Sequence, residues 1–442
     1  MKPTTNSFLS LVFLQLLAVA TITISFCNGS TYVGFIQSER DALLRFKHDL
    51  NDSSNQLSTW VGDGDCCKWD GVVCSNFTGH VLELHLGTPS SSNQYYSSYA
   101  DYRRSKLRGN LPVSIGNLSA LLSLDLRRNS FSGGVLPSLK NCTKLVALDI
   151  GENEFSGNIP TWMGERFRKL VILNFRSNKF HGLLPTEFCH LTSLQIIDLA
   201  YNNLSGSIPR CINNFSAMVA TDYSQGNSIQ FLFNLLGEFS EDALLVMKGT
   251  TVKYDSTLNL VRSIDLSKNN FSGEIPMEVT SLHALRSLNL SHNFLRGRIP
   301  ETIGDMTNIE AIDLSANLLL GKIPQSIASL TFLNHLNLSN NKLTGRIPLG
   351  TQLQSFDALS FIGNELCGSP LKNCTVATVP TPEHENGEHE VEWFYVSMAL
   401  GFVVGFWSLI GPLLINRRWR YKYYCFLDRV WNKFVCIVRK CL

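Results

Sequence analysis

Apolar residues return along this chain in one repeated phrase, LxxLxLxxNxLxGxIP, with small departures. An asparagine marks each copy: Asn129, Asn153, Asn178 and Asn202, then Asn269, Asn293, Asn317 and Asn341. The intervals are 24 or 25 residues, apart from the 67 that separate Asn202 from Asn269. One copy alone cannot bury its leucines. Leu124 and Leu126 must stack on Leu148 and Ile150 of the following copy, and so on down the chain, until the core is continuous.

A fixed period of this length with this leucine pattern predicts an α/β leucine-rich-repeat solenoid wound as a right-handed superhelix. Inside each turn the recurring Asn supplies two amide donors and an acceptor to backbone groups that would otherwise be buried unpaired. The Gly of each LxGxIP permits a tight backbone turn. Both positions read as structural. Residues between the leucines face away from the core and form the concave side, the usual binding surface of such folds. There the first block varies: Asp125, Arg127 and Arg128, then Gly151 and Glu152, then Asn174 and Arg176, then Asp198 and Tyr201. This variation marks Arg127, Arg128, Glu152, Arg176 and Tyr201 as candidate ligand contacts. The last block is nearly uniform, with Asp265-Leu266-Ser267, Asn289-Leu290-Ser291, Asp313-Leu314-Ser315 and Asn337-Leu338-Ser339, which suits a generic partner or none.

An open solenoid exposes its core at both ends and needs caps. Residues 30–80 supply one, with helical spacing at Leu43, Leu44, Phe46 and Leu50 followed by Cys66-Cys67-Lys68-Trp69-Asp70-Gly71-Val72-Val73-Cys74. Residues 351–376, with Cys367 and Cys374, supply the other. The repeats fall into residues 81–216 and 259–350. Between them, residues 217–258 form an island holding Tyr223, Phe231, Phe233, Phe239 and the Val246-Met247-Lys248-Gly249 stretch. Long insertions with such apolar content read as functional. A Ser- and Tyr-rich excess over residues 88–103 reads as a surface loop.

Charge changes the picture only locally, because the net charge is +2 and selects no nucleic-acid partner. Lys2 precedes an apolar run over residues 8–24 and two alternative small-residue cleavage sites, so residues 1–29 read as a secretory signal. Residues 393–415 carry no charge and are long enough to span a bilayer. Acidic residues 377–392 precede them, and a basic tail, residues 416–442, follows. This asymmetry predicts a single-pass protein of the plasma membrane with its N-terminus outside. Ser397, Gly401 and Gly405 give the span one small face suited to helix pairing. The exported part carries N-x-S/T sequons at Asn51, Asn76, Asn117, Asn141, Asn203, Asn214, Asn270, Asn289, Asn337 and Asn373, and predicts a glycoprotein. No phosphate loop, zinc spacing or nucleophile motif occurs, and the histidines are scattered. The chain reads as a non-enzyme with no catalytic residue, no metal and no cofactor.

Taken together, the cysteine caps, the LxGxIP repeats, the island ending in Lys248-Gly249-Thr250-Thr251, the Phe361-Ile362-Gly363-Asn364-Glu365-Leu366-Cys367-Gly368 cap and one span with a short tail resemble plant leucine-rich-repeat receptor-like proteins. The resemblance is to the group of Cf-type and ethylene-inducing-xylanase receptors. It implies the plant-specific repeat type and a kinase-less receptor in defence that perceives an extracellular protein or peptide ligand. It also implies an adaptor receptor-like kinase bound through the membrane helix and a co-receptor kinase bound at the last block. The group's lysine and tyrosine near the island's end match Lys248 and Tyr254. The resemblance further implies disulfides Cys67–Cys74, Cys189–Cys211 and Cys367–Cys374, the second between neighbouring coils, with Cys142 a buried free thiol.

The chain also departs from that group. Its array is shortened, with five repeats before the island. Cys66 lacks its usual partner, because Gly34-Phe35-Ile36-Gln37-Ser38-Glu39-Arg40 contains no cysteine. Phe239 replaces a tyrosine. The short array keeps other readings open: a non-perceiving regulator of full-length receptors, a developmental receptor subunit, or an inhibitor of cell-wall-degrading enzymes.

Overall fold

Asn293 shows how each coil closes. Its Nδ2 donates to the carbonyls of Leu266 in the preceding coil and Leu290 in its own, at 3.0 and 3.1 Å. Its Oδ1 accepts the Phe271 N–H at 3.0 Å. The same pattern recurs at Asn129, Asn153, Asn178, Asn202, Asn269, Asn317 and Asn341. Each asparagine therefore bridges two coils and occupies backbone groups that the leucine core hides from water.

In the computed structural model, residues 34–87, 106–134, 136–219, 243–247, 250–254 and 260–374 are described. Stacked coils build two long sheets. The first runs from the antiparallel pair Val72–Cys74 and Val81–His85 through parallel strands Ser123–Asp125, Ala147–Asp149, Ile172–Asn174, Ile196–Asp198, Ser263–Asp265, Ser287–Asn289, Ala311–Asp313 and His335–Asn337. The second is built just past the asparagines, from Arg108–Asn110 to Glu365–Cys367. Strands of three to five residues are too short to be stable alone, so neighbouring coils and the apolar spine between the sheets hold them. The spine includes Leu124, Leu148, Leu173, Ile197, Ile264, Leu288, Ile312 and Leu336, all buried, and the stacked rings of Phe131 and Phe155, 5.8 Å apart.

The interruption does not break the stack. Ile196–Asp198 pairs directly with Ser263–Asp265, and Leu204 N–H donates to Asn269 Oδ1 at 3.0 Å. The island leaves and re-enters between adjacent coils. Its described part is an antiparallel hairpin of Ala243–Met247 and Thr250–Tyr254.

At the N-terminal end, helix Gln37–His48 covers the core with Ala42, Leu43 and Phe46. Buried Glu39 accepts the Val81 N–H at 2.7 Å and pairs with His80 at 2.8 Å, which satisfies the sheet edge. The C-terminal cap is itself a coil. Asn364 accepts the Leu343 N–H at 3.0 Å and donates to Leu338 and Phe361, extending the asparagine row by one. Cys67–Cys74, Cys189–Cys211 and Cys367–Cys374 are disulfides, while Cys66 and Cys142 are buried thiols. Residues 393–415, with Ser397, Gly401 and Gly405, lie outside the described residues, as do Lys248, the signal and the 88–103 excess. Among the described residues no helix is long and apolar enough to cross a membrane.

Candidate functional site

Each of the eight repeat asparagines from Asn129 to Asn341 has an Asp or Asn four residues before it: Asp125, Asp149, Asn174, Asp198, Asp265, Asn289, Asp313 and Asn337. Each side chain turns back and accepts the N–H two residues on, as in Asp149 to Gly151 and Asp198 to Ala200, at 2.9 and 3.0 Å. This closes the turn after the strand. The concave face expected to present Asp125, Asn174, Asp198 and the last-block residues is therefore more closed than their spacing implies. Asp125, Asp149, Asp198 and Asp265 are buried, and so are Ser267, Ser291, Ser315 and Ser339. In the last three of these coils the serine hydroxyl also donates to Asn289, Asp313 and Asn337. The uniform face of the last block is thus satisfied from within.

The first block differs because arginines stand two residues after Asp125 and Asn174. Arg127 pairs with Asp125 at 3.0 Å and approaches Asp149 at 3.9 Å. Arg176 reaches both Asp198 and Asp265 at 2.9 Å, which ties the coils on either side of the island together. Burial and the neighbouring Asp125 push the Asp149 carboxyl up to about 7, against the pull of Arg127. Burial and Asp265 do the same to Asp198, also to about 7, against Arg176. Burial opposes the Arg176 charge, but the two aspartates outweigh it and hold its pKa above the ordinary value.

Arg128, Glu152 and Tyr201 stand in a second row, immediately before their asparagines, in left-handed backbone conformation with φ of 58°, 54° and 55°. Arg128 pairs with Glu152 at 3.0 Å. Tyr201 is 43% exposed. Its ring lies under the Arg176 guanidinium at 5.0 Å and the Lys268 ammonium at 4.2 Å, and Lys268 also donates to the Tyr201 hydroxyl at 2.7 Å.

The five candidate contacts therefore divide. The three arginines are largely covered: strands about 4.8 Å apart lay Arg128 and Arg176 onto carboxylates of neighbouring coils, and Arg127 rests on Asp125 of its own coil. Their side chains are 14%, 15% and 16% exposed for Arg127, Arg128 and Arg176. Glu152 and Tyr201 remain open. Lys268 was not singled out in the sequence, because 67 residues separate it from Tyr201. The available signal was positional, since both residues directly precede a repeat asparagine.

Of the sequons, Asn51, Asn76, Asn117, Asn141, Asn203, Asn214, Asn270 and Asn373 are exposed, while Asn289 and Asn337 are half-buried in the first sheet. Tyr254 ends the island hairpin. The sulfurs of Cys66, Cys67 and Cys74 lie within 4.8 Å of one another. Two of them are tied in the disulfide, which leaves one thiol against the four ligands that structural zinc takes.

Comparison with known proteins fits this geometry. Residues 36–75 match the family described as Leucine rich repeat N-terminal domain, and residues 120–142, 169–191, 193–215, 260–282 and 283–343 match Leucine Rich Repeat families. Receptor-like protein EIX2 of Solanum lycopersicum is 51% identical over 284 residues, which is 61% of this chain and 28% of that protein. Receptor-like protein EIX1 of the same species is 52% identical over 237 residues, 49% of this chain and 23% of that protein. The chain thus spans about a quarter of the length of these relatives. In fold it is similar to a plant ice-binding protein crystal structure, with a TM-score of 0.55 at 23% identity, covering 78% of this chain and 99% of that one.

Proposed function

We propose, on the premise that this chain belongs with the leucine-rich-repeat receptor-like proteins of plants, that it is a cell-surface receptor without an enzymatic domain. It perceives an extracellular protein or peptide ligand and signals in defence through partner kinases. The observation that carries the reading is the Arg176–Tyr201–Lys268 cluster. An exposed aromatic ring is held against two cations on the coils where the first and last blocks meet. An aromatic side chain fixed in place loses little entropy on binding, and such residues anchor protein contacts. Glu152, held by Arg128, widens the contact along the same row. Lys248 and Tyr254 contribute from the island.

Signalling then falls to partners. The adaptor receptor-like kinase binds through Ser397, Gly401 and Gly405 of the membrane helix, and the co-receptor kinase docks on the last block. Residues 1–29 direct export, and glycans sit on exposed sequons of the ectodomain.

The test is co-purification of the tagged chain with candidate kinases from leaf cells, with and without microbial extracts. Constitutive adaptor association with extract-dependent co-receptor recruitment is expected. Tyr201→Ala should abolish recruitment at unchanged surface abundance. Gly401→Leu with Gly405→Leu should abolish adaptor association. Adaptor association that persists while no extract recruits a co-receptor would replace this reading with that of a dampening regulator.

A further inference from the structure

In the last block the open face of the first sheet offers a partner little to hold, because its serines are closed onto Asp and Asn. The second sheet offers more. Phe294, Leu318 and Leu320, in strands Phe294–Gly297 and Leu318–Gly321, are 54%, 41% and 45% exposed. Around them stand Arg296, Arg298, Lys322, Lys342 and Arg346, all exposed. Arg298, Lys322 and Arg346 form one row on successive coils. Their stems lie over Gly321, Gly345 and Gly368, where an added Cβ would meet them at 3.2, 3.4 and 3.2 Å. None of the five cations makes an ion pair among the described residues, whereas Lys179, in an earlier coil of this sheet, is paired with Glu154 at 2.8 Å. Exposed Glu274 and Glu365 mark the two edges. The sequons of this sheet, Asn203 and Asn270, stop one strand short of the patch.

We infer that this patch docks an acidic, partly apolar protein segment. The segment's carboxylates meet the cation row, and its apolar side chains cover Phe294, Leu318 and Leu320. A purely saccharide polyanion would satisfy the cations and leave the two leucines with no apolar cover. An apolar centre inside a charged rim is how protein interfaces are built. The inference rests on the reading that the last block docks a partner protein, and it names the face that does so.

The test uses the full chain in detergent and a labelled peptide alternating Glu and Leu, read by fluorescence anisotropy. Saturable binding that weakens with salt is expected. Arg298→Glu with Lys322→Glu and Arg346→Glu should weaken it about tenfold, equivalent to about 1.4 kcal/mol. Leu318→Ser with Leu320→Ser should also weaken it. That pair copies the Ser130-Phe131-Ser132 arrangement of an earlier coil and adds no sequon, so it suits the fold, and unchanged melting temperatures will check both variants. No binding, equal affinity in both variants, or tighter binding of oligogalacturonate or anionic vesicles would overturn the inference. Failure here with co-receptor co-purification intact removes only the assignment of the face. Failure of both removes the docking role of the last block.

Discussion

At the scale of the residue, one asparagine does the work of several backbone partners. Replacing Asn293 by Leu strands the Phe271 N–H and the Leu266 carbonyl in a leucine core. Each stranded buried group costs about 1–3 kcal/mol. The expected loss is about 3 kcal/mol, seen in chemical denaturation and as faster amide exchange in the coils on both sides. The aspartates make a prediction of opposite kind. Asp149 and Asp198, raised to about 7, bind protons in the folded chain that the unfolded chain releases above about 3.9. Their contribution to stability is complete below that lower value and is lost as pH rises through about 7. The melting temperature should therefore rise on going from pH 8 to pH 6. Asp149→Asn with Asp198→Asn should flatten that rise, and an unchanged slope would mean that both carboxyls titrate in the ordinary range.

At the scale of the element, strands this short exist only because the next coil is present. A covalent clamp adds to those neighbour contacts where the chain leaves the array for the island. Cys189–Cys211 joins the last two coils before the island, 22 residues apart in sequence. Loop-closure entropy for such a spacing is worth about 3 kcal/mol. Cys189→Ala with Cys211→Ala should lose up to about that much, with the new amide exchange concentrated around residues 186–219. The C-terminal cap shows how an element is missed. Asn364-Glu365-Leu366-Cys367-Gly368 carries the repeat's own N-x-L-x-G spacing, but its cysteine draws attention to the disulfide instead. The hydrogen bonds of Asn364 show a further coil.

At the scale of the whole molecule, the island is an excursion from a continuous stack. Arg262 Nε donates to the Ala217 carbonyl at 2.8 Å, and Ala284 N–H reaches Met218 O at 2.9 Å, so the chain departs and returns at one place. Replacing residues 220–259 by a short Gly-Ser linker should leave secretion and melting temperature nearly unchanged while abolishing ligand-dependent recruitment. A large fall in melting temperature would make the island a structural member of the array.

The sequence alone determined the coil, because period and leucine spacing are properties of neighbouring residues and every copy restates them. Register followed too: asparagine stacks on asparagine across 24 residues or across 67. Which candidate side chains are open to a partner was decided only by the tertiary structure. Arg127, Arg128 and Arg176 read as free cations along the chain, and stacking laid carboxylates beside them. Lys268 met Tyr201, and Arg298, Lys322 and Arg346 became one row, only once coils came within a strand's width. Local pattern specifies the backbone, whereas exposure and charge pairing depend on what the neighbouring coil brings into contact.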